Sequence, residues 1–170
     1  MELDKPFDVE TTGGKTTFTL RMEPYRVFQN GAVSFQYPRG ATFKTQGEGL
    51  VKLCTISDSP AVVMVQHFRN QPNAALILKQ MVEQILAQYG EAAEVKQVET
   101  TIEYQKRTLK GVRLEVRIAR QLLHQSLFSF ASGKDVEVLI LQDTPDDEGK
   151  PSRAYAQFQK LMQDSFRFLK

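Results

Sequence analysis

Hydrophobic and polar residues alternate with a period of two along most of the chain and switch to a helical period twice. Thr17, Phe18, Thr19, Leu20, Arg21 and Met22 alternate and favour strand, so a half-buried strand ending at Pro24 is expected. Asn30-Gly31 marks a turn. Val33-Ser34-Phe35-Gln36-Tyr37 then alternates again and stops at the turn-forming triplet Pro38-Arg39-Gly40. Residues 50–56 and 61–68 flank Asp58-Ser59-Pro60, which predicts an antiparallel hairpin. The period changes at Leu78, Met81, Val82, Ile85 and Tyr89, which share one face of a helix that Gly90 is placed to terminate. Lys79, Gln80, Glu83, Gln84 and Gln88 occupy its polar face.

Strand patterning then returns. Val98, Thr100, Ile102 and Tyr104 share one side, and Val112, Leu114, Val116 and Ile118 alternate with Arg113, Glu115 and Arg117. Residues 126–131 and 135–142, joined through Ser132-Gly133-Lys134, predict a second hairpin. Tyr155, Phe158, Leu161, Met162, Phe166 and Leu169 close the chain at helical steps, with Ser152 as the N-cap. Strands broken by one helix in the middle and one near the end do not alternate regularly with helices, so a doubly wound parallel sheet is not expected. The expected fold is α+β: a single antiparallel β-sheet packed with two main helices over residues 15–170. Residues 1–14, with Pro6, Gly13-Gly14 and little apolar patterning, are expected to be a flexible lead-in.

Three segments carry a resemblance. Val33-Ser34-Phe35-Gln36-Tyr37-Pro38-Arg39-Gly40, Leu109-Lys110-Gly111-Val112 and the helix from Phe158 to Phe168 resemble the opening motif, the glycine-bearing strand and the closing helix of the PsbP-like family, with its DcrB and EagR branches. The likeness spans about residues 25–169, and the tryptophan-containing segment common after the opening motif has no counterpart, since the chain has no Trp. The resemblance implies an α/β/α sandwich. It also implies a protein that binds other macromolecules or assists assembly, and it assigns no site residues.

Composition narrows the function. The chain has 170 residues, and its 41% hydrophobic and 25% charged content suits one soluble globular domain. With 22 Lys and Arg against 20 Asp and Glu, the charge is too balanced for a nucleic-acid footprint. The longest uncharged stretch, residues 121–133, is too short and too polar to span a membrane. The first ten residues are acidic and resemble neither a secretory signal nor a transit peptide, which leaves both a cytoplasmic location and export after signal removal open.

Each piece of candidate chemistry has an ordinary structural explanation. Gly13-Gly14-Lys15-Thr16 resembles the end of a phosphate loop, but Val9 stands where its first glycine belongs and a strand follows in place of a helix. The single cysteine, Cys54, has the setting of a small core residue. His67 and His124 lack carboxylate partners nearby in sequence, so neither a triad nor a metal-ligand spacing results. Asp143, Asp146, Asp147 and Glu148 beside Gly149 depart from calcium-loop spacing and suit a solvated turn. Glu99, Glu103 and Glu115 take the polar sides of alternating strands. No catalytic residue, cofactor or metal is expected.

The local excess of one sign is basic: Lys106, Arg107, Lys110, Arg113, Arg117 and Arg120, opposed only by Glu115. Arg107, Arg113, Arg117 and Arg120 are the candidate contacts for another protein, with an acidic surface as the expected mate. Charge that protects an outer strand from aggregation would look the same. If Val112, Leu114, Val116 and Ile118 face a helix-covered core, Arg113, Glu115 and Arg117 lie together on the opposite side. The expected function is a non-catalytic binding or assembly module. A small enzyme with a site assembled only by folding and a carrier of a small apolar ligand are the alternatives. A polar deep pocket would favour the enzyme, a dry pocket the carrier, and a flat or grooved patch without either the binding module.

Overall fold

In the computed structural model, which describes residues 6–19, 22–90 and 93–169, the alternating segments become β1 (Pro6–Thr11), β2 (Gly14–Thr19), β3 (Tyr25–Gln29), β4 (Val33–Pro38), β5 (Thr42–Gln46), β6 (Val51–Asp58) and β7 (Ala61–Phe68). Helix α1 (Ala74–Tyr89) follows, then β8 (Glu94–Tyr104), β9 (Arg107–Ile118), β10 (Gln121–Ser132), β11 (Asp135–Asp143), α2 (Arg153–Ser165) and β12 (Arg167–Phe168). Residues 1–5 of the expected lead-in, and Leu20 and Arg21 of the expected first strand, lie outside the described residues. Residues 6–11, also assigned to the lead-in, pair antiparallel with β2.

The expectation of a single sheet with two helices, arranged as an α/β/α sandwich, is corrected. The chain is mostly β, with 55% of it in strands. Among the described residues the strands form three sheets: a seven-stranded sheet in the order β5-β6-β7-β11-β10-β9-β8, a three-stranded sheet β12-β4-β3, and the pair β1-β2. All the pairings are antiparallel. The reason lies in strands with little alternation. Every residue of β5 is exposed, and β3 buries only Phe28 fully while Val27 stays 57% exposed. Such strands give no period-two signal, because they bury one side chain or none.

Two apolar clusters lie on opposite faces of the large sheet. On one face α1 covers Leu114, Val116, Leu127, Val136, Val138 and Ile140. Asn73 caps this helix, its Oδ1 accepting from the Leu76 N–H at 3.0 Å, and Gly90 ends it in the left-handed region at φ 58°. Ile77 and Val82 are fully buried, while Leu78, Met81, Ile85 and Tyr89 of the expected stripe are half-buried. Ile118, expected beside Val116 in the core, is 46% exposed at the end of its strand.

On the other face α2 and the three-stranded sheet share one layer. Ser152 caps α2 as expected, its Oγ accepting from the Tyr155 N–H at 3.1 Å. Phe158, Met162 and Phe166 bury against Phe35, Tyr104, Phe128 and Leu139. Phe166 is sandwiched between the Tyr104 ring at 4.2 Å and the Phe35 ring at 5.7 Å. Burying each such ring contributes about 1.5–3 kcal/mol. The opening segment Val33–Pro38 and the end of the closing helix are thus joined in one core.

Candidate functional site

Helix α1 lies over β10 and β11 and leaves the tip of the β8–β9 hairpin uncovered on its side. Along this face of β9, Val112, Leu114 and Val116 belong to the cluster under the helix, whereas Lys110 and Thr108 are exposed. The change from apolar to polar occurs within one strand and on one face. The result is a groove of about 980 Å³ between the first turns of α1 and the hairpin, with Ala74, Ala75 and Leu78 on one wall and Glu99, Thr101, Thr108 and Lys110 on the other. Ser129 fixes the helix wall to the sheet, its hydroxyl donating to the Ala74 carbonyl at 2.9 Å.

The hairpin tip is held in an unusual backbone. Gln105 and Lys106 have φ of 50° and 63°, left-handed values that a two-residue turn requires and that side chains other than Asn and Gly disfavour. Gln105 Oε1 accepts from the Phe168 N–H at 3.2 Å, tying the tip to β12. Arg107 points to the opposite face from Thr108 and Lys110, its guanidinium 4.6 Å from the Phe168 ring centre and 5.6 Å from that of Phe130.

The four candidate arginines are not brought together. Arg107 and Arg117 stand at opposite ends of β9, about 33 Å apart at the usual strand rise. Arg113 is half-buried on the α2 side and donates from Nε to Ser126 Oγ at 3.3 Å. Arg117 and Arg120 are exposed and border a small cleft with Asp146 and Asp147 of the acidic loop. Of the basic stretch, Lys110 is the residue that strand alternation directs into the groove, while Arg107 faces the α2 side. Arg113, Glu115 and Arg117 form a partly covered polar row, the first two half-buried and Arg117 exposed. Glu115 pairs with Lys96 at 3.5 Å, and burial pushes the nearby Tyr155 phenol up against the opposing pull of Arg113.

Pairing supplies the carboxylates that the histidines lack in sequence. His67 lies opposite Glu137 in the β7–β11 ladder. Its Nδ1 is 2.5 Å from Glu137 Oε1 and its Nε2 is 3.7 Å from Asp135 Oδ2. Glu137 is 1% exposed, and Asn30 of the β3–β4 turn donates to its second oxygen at 3.1 Å. Burial pushes the Glu137 carboxyl up, and the His67 hydrogen bond opposes this. One signal in the sequence pointed here: Glu137 is the charged residue inside the apolar run from Val136 to Leu141.

His124 lies opposite Glu115 and Asp143 on its two neighbouring strands, and burial pushes its pKa down against the pull of Glu115. Asp143 belongs with this row and not with the acidic loop. It is 3% exposed and its Oδ2 accepts from the Ser152 N–H at 2.9 Å, supporting the start of α2. Asp146 instead folds the exposed turn on itself, its Oδ1 accepting from the N–H groups of Glu148 and Lys150. Cys54 is buried beside Thr45. Lys15 lies in the β1–β2 hairpin and pairs with Asp8 at 2.6 Å. Among the described residues, no cluster of three or more His, Cys, Asp or Glu side chains is arranged to hold a metal ion. Nor is any described helix long and apolar enough to cross a membrane. No known family profile matches the chain, and no curated protein matches it either.

Proposed function

We propose that the protein is a non-catalytic binding module that takes an extended segment of another protein into the groove between α1 and the β8–β9 hairpin. The observation that carries this reading is the groove itself: open trough, exposed polar side chains along one wall, small and apolar ones along the other. A carrier of apolar ligands needs an enclosed dry cavity, and Glu99, Thr101, Thr108 and Lys110 are all exposed instead. The groove wall from Thr108 to Val112 is long enough for an extended segment of about five residues, at ~3.3 Å each. Thr101 and Thr108 hydroxyls can donate to and accept from its backbone. The resemblance to PsbP-like proteins supports the same reading through their shared tendency to bind macromolecules.

A displayed library of random peptides, panned on the protein, tests this. The comparison is with Ala75→Trp, which fills the groove from an exposed helix position. Enriched peptides are expected to lose at least about tenfold in affinity on the variant, or ~1.4 kcal/mol. Failure to enrich any peptide, or equal binding by the two proteins, would refute the reading.

A further inference from the structure

We propose that the outer edge of β8 docks an extended segment of another protein, which joins the large sheet as a further strand with basic residues facing the α1 side and apolar ones facing α2. This surface is separate from the groove and does not depend on it. β8 is the last strand of the seven-stranded sheet, and among the described residues no strand pairs with its outer side. It runs for 11 residues. At the other end of the sheet β5 has five residues, and its Phe43 ring lies 6.2 Å from that of Phe28 in the small sheet. β8 is thus the long open edge, with main-chain groups that an incoming strand can use.

The register identifies those groups. The two-residue turn Gln105-Lys106 makes Tyr104 and Arg107 a mutually bonded pair, and such pairs alternate along an antiparallel ladder. Tyr104, Ile102, Thr100 and Val98 therefore bond to β9, while Glu103, Thr101, Glu99 and Gln97 direct their N–H and C=O groups outward. Side chains follow the same alternation. Those of the first set face α2, where Ile102 and Tyr104 join the aromatic core, and those of the second face the α1 side.

Each face offers an incoming strand different chemistry. On the α1 side Glu99 and Glu103 are exposed, and among the described residues neither has a cation within ion-pair distance. Residues of the new strand opposite them would stand about 5 Å away, whereas Lys110 lies one strand further in, opposite Thr101, at roughly twice that distance. Basic side chains are favoured there. On the α2 side a cleft of about 310 Å³ opens beside Ile102 and Tyr104, rimmed by Gln159, Lys160 and Gln163 of α2. Its half-buried Ile102 suits an apolar side chain at the alternate positions. The same carboxylates disfavour a second copy of the chain as the partner. Antiparallel pairing of two β8 edges centred on Glu99 sets Glu99 against Glu99, and pairing centred on Thr101 sets Glu99 against Glu103.

Two heptapeptides test the proposal when titrated into the isotope-labelled protein: Thr-Lys-Val-Thr-Val-Lys-Thr and its counterpart with Glu in place of Lys. Both read the same in either direction, so both strand polarities present one pattern. At saturation the Lys peptide is expected to slow amide hydrogen exchange at Glu99, Thr101 and Glu103 far more than at Thr100 and Ile102, whose N–H groups already bond to β9. The Glu peptide should bind at least about tenfold more weakly, a difference that salt narrows. Glu99→Gln with Glu103→Gln, both at exposed positions, should bring the two peptides close to equal. Thr101→Pro removes an outward N–H and should weaken the Lys peptide at least about tenfold. Should that variant disturb folding, N-methylation of the peptide's central Thr blocks the same ladder from the other side and should weaken it equally. Effects confined to residues 74–78 and 108–112 would seat the peptides in the groove and overturn the edge site alone. Equal affinity of the two peptides for the wild type would overturn the basic assignment, and silence at Glu99, Thr101 and Glu103 would overturn the site.

Discussion

The two halves of the β8–β9 hairpin bury opposite faces. In the half carrying Val112, Leu114 and Val116, the α1 side is covered, and the α2 side holds the polar row of Arg113 and Glu115. In the half nearer the tip the order inverts: Tyr104, Leu109 and Gly111 are buried on the α2 side, whereas Lys110, Thr108 and Thr101 are open on the α1 side. A 16-residue helix is about 24 Å long, but a 12-residue strand runs to about 40 Å, so no one helix covers β9 from end to end. The diagonal burial leaves a groove on one side and a packed aromatic core behind it.

The largest effect expected from breaking this comparison is at Gly111. A Cβ there would lie 2.1 Å from the Leu127 carbonyl oxygen and 2.5 Å from Phe128 Cδ1, and backbone cannot yield as a flexible side chain can. Gly111→Val is expected to lose about 3 kcal/mol or more, or to prevent folding. An unchanged denaturation midpoint would show that the tip is not packed against Phe128. Next comes a pair on one face of one strand. Leu114→Ala should cost about 2–5 kcal/mol in a urea titration, since Leu114 is 0% exposed. Lys110→Ala should stay within about 0.5 kcal/mol. A similar loss at both positions would mean that the tip is covered in solution.

The smallest effect sharpens the contrast by showing a polar group that the same sheet does bury. Burial raises the Glu137 carboxyl above its ordinary value of 4.5, and the His67 hydrogen bond opposes that shift without cancelling it. The folded chain then holds this proton more tightly than the unfolded chain. Its contribution to stability is fully present below 4.5 and is lost as pH rises through the higher folded value. Across that window, denaturation midpoints of the wild type should fall relative to those of Glu137→Gln. Parallel curves for the two proteins would remove the assignment.

Local signals in the sequence were reliable where an element buries a full stripe. Both helices, the Ser152 cap, the β6–β7 and β10–β11 hairpins and the alternation of β9 all follow from period and capping chemistry, except that α2 stops at Ser165, so Phe166 and Leu169, expected in its stripe, lie beyond it. The three-stranded sheet was not legible, because β3 buries one side chain fully and β12 is two residues long. Its absence from the sequence reading produced the single-sheet expectation. The His67–Glu137 pair was hidden for a different reason: a strand pattern gives each residue its side, but not the strand that will lie opposite. Which part of β9 stays uncovered depends on where α1 lands, so Arg107, Arg113, Arg117 and Arg120 looked like one band although the fold separates them.

The slot filled by Phe166 bears on how the chain is made. Phe28, Phe35 and Tyr37 are synthesised well before the ring that stacks between Phe35 and Tyr104, which belongs to residue 166. At ordinary synthesis rates the interval is on the order of ten seconds. The α1-side cluster can assemble once β11 has emerged, but the α2-side cluster lacks its central ring until residue 166 has been made. For that interval the nascent chain carries uncovered aromatic side chains that a holding chaperone can bind. Closure of this core therefore waits on residue 166, set by the order of the sequence itself.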